Sequence, residues 1–282
     1  MMTKTKDQST KAIKIFKKSN KMKTIILLFT IMFASALTAE TKIKVALAGS
    51  SACQSYGSTD PKLIYGWGEV LNKYFKSEVA ILNFGKSGYS TKWFIDRGNW
   101  DKLLESKPDY ILMSLGANDS KKSRFTDPKT EFRDNLRRFA ADANKINAKI
   151  IFVTLNQSMR YDKANNKAIF NKNGEALRSE RIPYSQAIRE VAKELNQPCL
   201  ELFNEQRRVM EAMGENKAGT LYRYYLEDGK PGRYGKLDPS HTNLAGAELI
   251  AQIIIRELLK SDSTLRDYVD KSKLPDNDLF QK

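Results

Sequence analysis

The stretch IKVALAGSSACQSYG (residues 43–57) opens with an apolar run that stops abruptly at a glycine and two serines. The run IKVALA (43–48) reads as a strand, and Gly49-Ser50-Ser51 as the turn that leaves it. A Gly-Ser-Ser turn is most often only a turn. The question is whether Ser50 or Ser51 also does chemistry.

Working outward, the same kind of run recurs. VAILNF (79–84) is strand-like, and DYILMSL (109–115) and KIIFVTL (149–155) are continuous apolar runs, the pattern of strands covered on both faces. PCLELF (198–203) reads as a fifth strand. Helical patterns fall between them: PKLIYGWGEVLNKYF (61–75), a face of Phe132, Leu136 and Phe139, RIPYSQAIREVAKELN (181–196), and a final NLAGAELIAQIIIRELL (243–259). Strands separated by helices imply a parallel sheet with right-handed crossovers. The expected fold is α/β: a three-layer α/β/α sandwich on a five-stranded parallel sheet, flavodoxin-like. The polar stretch 156–180 is expected to be a long loop.

Charge divides the chain. Eight lysines and one acid, Asp7, give the first 39 residues +7 of the formal +15. The lysines precede an apolar run from Ile25 to Ala39 that is too short for a comfortable membrane span. Lysines, an apolar run and then Ala-Ser-Ala and Leu-Thr-Ala read as an export signal, cleaved after Ala39 or Ala36. Met22 resembles an ordinary start for such a signal, which would make residues 1–21 an upstream extension. A nucleic-acid-binding tail is set aside because the apolar run follows directly. The expected layout is an extension and signal peptide over 1–39, one domain over 40–262, and a polar surface tail over 263–282. The product is expected outside the cytoplasm, periplasmic or extracellular, touching a membrane only during export and binding no nucleic acid. The two cysteines, Cys53 and Cys199, fall near opposite edges of such a sheet and are expected to be unbridged; with one histidine they offer no zinc site of ordinary spacing.

In this architecture ligands sit beyond the carboxyl ends of the strands. That rule selects four segments: GSSACQSY, GKSGYST, GANDS and LDPSHTN (237–243). His241 is the only histidine, and Asp238 stands three residues before it. On one turn the carboxylate could fix the ring's tautomer and leave the other nitrogen as a base. The plain alternative is a turn-starting Asp and a capping His. Gly88 and Asn118 likewise have plain readings, a loop glycine and a helix cap. What shifts the balance is their joint placement at four strand-end loops. No Gly-x-Ser-x-Gly elbow occurs, which argues against an α/β-hydrolase.

Taken together, the four blocks resemble the SGNH, or GDSL-type, hydrolase superfamily, and within it the rhamnogalacturonan acetylesterases. The similarity spans nearly all of 43–260. It is carried by YGWGEVLNKYF, by NFGKSGYSTKWFIDRGNWDKLLESKPDYILMSLGAND and by DPSHTNLAGAELIA. The resemblance implies Ser51 as nucleophile, Asp238 and His241 as acid and base, and Ser51, Gly88 and Asn118 as oxyanion donors. Two positions depart from the family pattern: Ser50 stands where an aspartate is usual, and Ala117 where histidine is frequent in this subfamily. The implied activity is removal of O-acetyl groups from an acetylated polysaccharide such as rhamnogalacturonan or pectin, with no metal or organic cofactor. Alternatives are an esterase for acetyl-xylan, lipid or short acyl esters, and, motivated by Ser50 and Ala117, a non-catalytic glycan-binding protein. Tyr89, Trp93 and Lys86 are the expected substrate contacts. Lys92, Arg223 and Arg233 are further cations that could attract an acidic glycan, and Trp67, Trp100, Tyr222, Tyr224 and Tyr225 further aromatics near the loops.

Overall fold

Alternate residues of the apolar strands face opposite layers, and this period of two builds the molecule. The computed structural model describes residues 42–230 and 232–276. The proposed export signal (1–39), with its start and cleavage sites, and residues 277–282 lie outside the described residues. The strands in chain order are β1 (Ile43–Gly49), β2 (Val79–Asn83), β3 (Tyr110–Ser114), β4 (Lys149–Val153), β5 (Arg160–Asp162), β6 (Lys167–Ile169), β7 (Cys199–Leu200), β8 (Tyr222–Leu226) and β9 (Tyr234–Thr242). Five form one all-parallel sheet in the order β2-β1-β3-β4-β7, the flavodoxin-like arrangement.

Val45, Leu47, Leu112, Ile151 and Val153 turn to one face, where they meet Ile250, Ile253 and Ile254 of the helix Leu244–Lys260 and Val209 and Met210 of the helix Leu202–Met213. Ala46, Ala48, Ile111, Met113 and Phe152 turn to the other, against Phe132, Leu136 and Phe139 of the helix Glu131–Lys145 and Ile188 of the helix Ile182–Glu194. Each large apolar side chain buried this way contributes about 1.5–3 kcal/mol. The three layers are those expected.

Four local expectations are corrected. Only Trp67–Val70 and a 3₁₀ turn, Leu71–Tyr74, are helical within 61–75. Gly66 and Gly68 let this segment lie on the turn after β1, where a Cβ would stand 2.2 Å from the Gln54 carbonyl oxygen or 2.4 Å from that of Cys53. Only Cys199 and Leu200 of PCLELF are strand; Glu201 caps the next helix, its side chain accepting from the Asn204 N–H. The stretch 156–180 holds the antiparallel β5–β6 hairpin. Over the described residues 262–276 the segment after Ser261 is docked rather than a surface appendage: Leu265 and Val269 are buried, and Asp270 N–H donates to the Tyr74 carbonyl at 2.9 Å. Both cysteines are free, Cys53 beyond the interior strand β1 and Cys199 in the edge strand β7.

Candidate active site

The strand order reverses between β1 and β3, and that switch point leaves a crevice at their carboxyl ends. β1 stops at Gly49 and the chain closes one helical turn, with Cys53 and Gln54 N–H groups donating to the Ser50 carbonyl at 3.0 and 3.1 Å. A side chain at Gly49 would put its Cβ 2.4 Å from Cys53 Cβ, so the turn closes only over glycine. Ser50 is buried, whereas Ser51 is half-buried and opens into the crevice.

The histidine arrives from a different direction. LDPSHT (237–242) is part of β9, which pairs antiparallel with β8, and is not the open loop expected before the last helix. Thr242 pairs with Tyr222, and Asp238 pairs with Arg223. One step along β8 therefore spans four along β9. Pro239, Ser240 and His241 bulge out of the ladder, a device that re-aims side chains beside functional sites. The bulge brings Asp238 and His241 onto one side. His241 Nδ1 lies 2.7 Å from Asp238 Oδ2, and Nε2 lies 3.0 Å from Ser51 Oγ. Asn243 closes β9 by capping the helix Leu244–Lys260, its side chain accepting from Gly246 N–H at 3.1 Å.

Asp238 is almost fully buried and densely hydrogen-bonded. Its Oδ2 also accepts from Arg223 Nε at 3.0 Å and Tyr225 OH at 3.2 Å, and its Oδ1 from Ser240 N–H at 2.9 Å. Burial by itself would raise this carboxyl, but the hydrogen bond and charge of His241, the Ser240 N–H and Arg223 together hold it well below the usual carboxylate range. Asp238 is thus held in its anionic form. An anion there fixes the ring with its proton on Nδ1, leaving Nε2 to accept one from Ser51.

The β3 loop supplies the third side. Asn118 is buried and lines the same crevice, with Nδ2 donating to the Tyr89 carbonyl at 3.0 Å. Its neighbour Asp119 does work that the sequence did not announce. One carboxylate oxygen, Oδ1, accepts from Thr91 Oγ1 at 2.5 Å and from Thr126 Oγ1 at 2.7 Å, and Thr91 N–H also donates to the group at 3.0 Å. Asp119 thereby ties the Asn118 loop to the loop after β2. Gly88 sits in that second loop with φ 81°, a conformation that favours glycine, and its carbonyl accepts from Arg124. Gly88 is one residue from the anchored Tyr89 carbonyl, but it is not among the residues lining the crevice. Ala117 does line it, as does Ser50.

None of the three expected substrate contacts lines the crevice, although the Tyr89 carbonyl holds Asn118 beside it. Lys86 lines a separate hollow with Asn83 and Lys102. Trp93 packs edge-on to Tyr89, and the Arg97 guanidinium covers its ring at 3.6 Å. Of the other aromatics, Trp67, Trp100 and Tyr222 are core residues. Tyr225 alone of the aromatics lines the crevice, and it is 45% exposed. Of the expected cations, Arg223 is committed to Asp238 and Lys92 to Glu131 and Asp96. The crevice, about 480 Å³, instead presents Lys121, Arg178 and Arg181. It continues past Arg178, Tyr225 and Ser240 into a hollow of about 850 Å³ walled by β5, Lys172 and Lys236.

Comparisons with known proteins bear on the family and the fold. Residues 47–249 match the GDSL-like lipase/acylhydrolase family model. Rhamnogalacturonan acetylesterase RhgT of Bacillus subtilis is 29% identical over 230 residues, covering 80% of this chain and 94% of that protein. YesY of the same organism, a probable rhamnogalacturonan acetylesterase, is 24% identical, with 81% and 98% covered. Among solved structures, the Bacillus subtilis protein YxiM superposes with TM-score 0.60 at 19% identity over 78% of this chain, which spans only 57% of that longer one. The acetylxylan esterase Axe2 of Geobacillus stearothermophilus gives 0.55 at 16% identity, with 78% and 96% covered. At these identities the two structures bear on the fold alone. The family match takes in β1, the β3 loop and the β9 bulge together, and the chain belongs to the GDSL-like lipase/acylhydrolase family and is a carboxylic ester hydrolase.

Proposed function

We propose that this protein is an exported serine esterase that removes O-acetyl groups from a pectic polysaccharide, most specifically rhamnogalacturonan. The observation that carries the chemistry is the line Asp238–His241–Ser51, joined at 2.7 and 3.0 Å. The names of the two Bacillus subtilis relatives support the substrate, and the lysine-rich start with its apolar run supports export.

Ser51 Oγ attacks the acetyl carbonyl carbon as His241 Nε2 takes its proton. The bond to the sugar oxygen then breaks, and that oxygen leaves with the proton from His241. Water attacks the acetyl-serine by the same route in reverse, releasing acetate and restoring Ser51. Asp238 stabilises the imidazolium formed at each step. The tetrahedral oxyanion lies against the Ser51 N–H group and the Asn118 amide, and the Gly88 N–H group, set back from the crevice lining, is the third donor that the family resemblance implies. Asn118→Ala is expected to lower kcat on p-nitrophenyl acetate about 100–1,000-fold, the range for one oxyanion donor. Steady-state kinetics check it. A loss below tenfold would leave Asn118 only the Tyr89 tether.

The substrate is tested by acetate release from acetylated rhamnogalacturonan, acetylated homogalacturonan and acetyl-xylan, with p-nitrophenyl acetate alongside. Rhamnogalacturonan is expected to give the highest kcat/KM. Preference for acetyl-xylan would overturn the pectic assignment, and binding without turnover of any ester would overturn the enzymatic one.

A further inference from the structure

One wall of the catalytic crevice carries cations that ester cleavage does not use. Arg181 is 8% exposed and lines the crevice together with Ser51, Asn118 and His241. Its Nη1 donates to the Asn156 carbonyl, while its buried Nε has no partner. Among the described residues Arg181 makes no ion pair. Lys121 stands on the same crevice from the β3 loop, its backbone N–H held by the Asn118 carbonyl at 3.1 Å, and it too lacks an ion-pair partner among the described residues. Arg178 completes the group, but Glu180 holds it at 2.7 Å.

The acids of the crevice are already committed. Glu180 pairs with Arg178, and Asp238 is shared by Arg223 and His241. Lys121 and Arg181 are left on the same crevice without an ion pair among the described residues. Burial, then Arg124, Arg181 and Arg178, push the Lys121 ammonium down, and burial, then Arg178, push the Arg181 guanidinium down to about 10 against a smaller opposing pull from Tyr222 and Glu180. A strut for the Asn156 carbonyl needs no charge, because any neutral N–H would serve. A buried guanidinium without a counter-ion is a strong local penalty, and a ligand anion removes it. Arginine presents its N–H groups as a planar fork matched to a carboxylate.

We propose that Arg181 and Lys121 form a carboxylate subsite beside Ser51, which takes a uronic-acid carboxylate within one sugar unit of the scissile acetyl group. This rests on the carbohydrate-esterase reading and adds to it the group that selects the sugar. A carboxylate there bridges the two cations as the acetyl carbon reaches Ser51 Oγ. Neutral acetylated glycans leave both cations uncompensated. Arg178, already neutralised, lines the way into the larger hollow, where the chain of sugars continues.

The test uses acetylated rhamnogalacturonan oligosaccharides in two forms of equal acetyl content, with the uronic-acid carboxylates free or methyl-esterified. The wild-type protein is expected to favour the acid form in kcat/KM by about tenfold or more, as charge-assisted hydrogen bonds would give. Lys121→Gln is expected to cut the acid-form value by about tenfold, chiefly through KM, and to bring the acid-to-ester ratio near one. Lys121 is exposed, so this variant leaves the fold alone. Arg181→Lys, which keeps charge but loses the fork, is expected to lower the ratio in part, with thermal denaturation confirming that it folds. Equal wild-type rates on the two forms, or a ratio unmoved by Lys121→Gln, would sink the subsite while leaving the carbohydrate reading intact. Turnover of p-nitrophenyl acetate with no acetate from either glycan form would sink both.

Discussion

Ser51→Ala is expected to leave the protein folded and its esterase turnover reduced by about 10⁴-fold or more, while Ser50→Ala keeps most of it. The two serines are neighbours on one turn, and both line the crevice. Only Ser51 Oγ lies within hydrogen-bond distance of His241 Nε2, at 3.0 Å. Without that oxygen no acetyl-enzyme forms, and the remaining groups only polarise the ester for attack by water. Ser50 works through its main chain. Its carbonyl closes the turn by accepting from Cys53 and Gln54, and alanine offers the same carbonyl. The acid that the family pattern usually has at this position is therefore not needed to hold the turn, which is locked by these bonds and by glycines pressed against it. Pre-steady-state assays with p-nitrophenyl acetate separate the variants. Ser51→Ala should lose the burst as well as the turnover, and Ser50→Ala should keep both. Equal loss in the two variants would mean that the wrong oxygen has been identified.

The ease of reading the site from sequence follows from where its parts lie. Ser51, Gly88 and Asn118 follow apolar runs that stand out as continuous because both faces of each strand are covered. The carboxyl-end rule then points to them directly. Asp238 and His241 were legible as a pair by their spacing, but not as a bulged strand, because the pairing that creates the bulge is with Arg223, a residue fifteen earlier, and leaves no local mark. Helix propensity misled at 61–75, where Gly66 and Gly68 serve close approach to the Cys53–Gln54 backbone instead of a helix. Of the expected cations, Lys86 and Lys92 lie off the crevice, while Arg223 reaches the site through Asp238. Lys86 and Lys92 are close in sequence to the site loops, whereas Arg178 reaches the crevice from the end of a long polar stretch that the sequence reads as a loop, and Arg181 from the first residue of the helix read after it. Met159 N–H donating to the Pro239 carbonyl at 3.1 Å shows how that stretch is tied back to β9. Tertiary contacts of this kind have no period and no spacing to betray them.

Asp238→Ala is expected to lower turnover by about 10⁴-fold, and the reason lies as much in Arg223 as in His241. Asp238 Oδ2 accepts from His241 Nδ1 at 2.7 Å and from Arg223 Nη2 at 2.9 Å. Removing the carboxylate frees the ring to change tautomer, and it also leaves a guanidinium beside a histidine that must become positive during each step. Two unit charges about 5–6 Å apart at an effective dielectric of about 20 repel by about 3 kcal/mol. That repulsion opposes proton transfer from Ser51 in the variant, whereas the carboxylate screens it in the wild type. Adding Arg223→Gln to Asp238→Ala should therefore recover part of the lost rate, on the order of tenfold, although Arg223→Gln alone lowers activity. A double variant no faster than Asp238→Ala would confine the aspartate's role to orienting the ring. Stability carries a second signature. The folded state holds the Asp238 carboxyl below its ordinary value, so its contribution is fully present above the unfolded carboxylate range, near pH 4, and is lost as pH falls through the lower folded value. The gap in Tm between the wild-type protein and Asp238→Ala should accordingly be widest at neutral pH and close in acid. A gap that widens on acidification would contradict the ionised carboxylate on which the catalytic line depends.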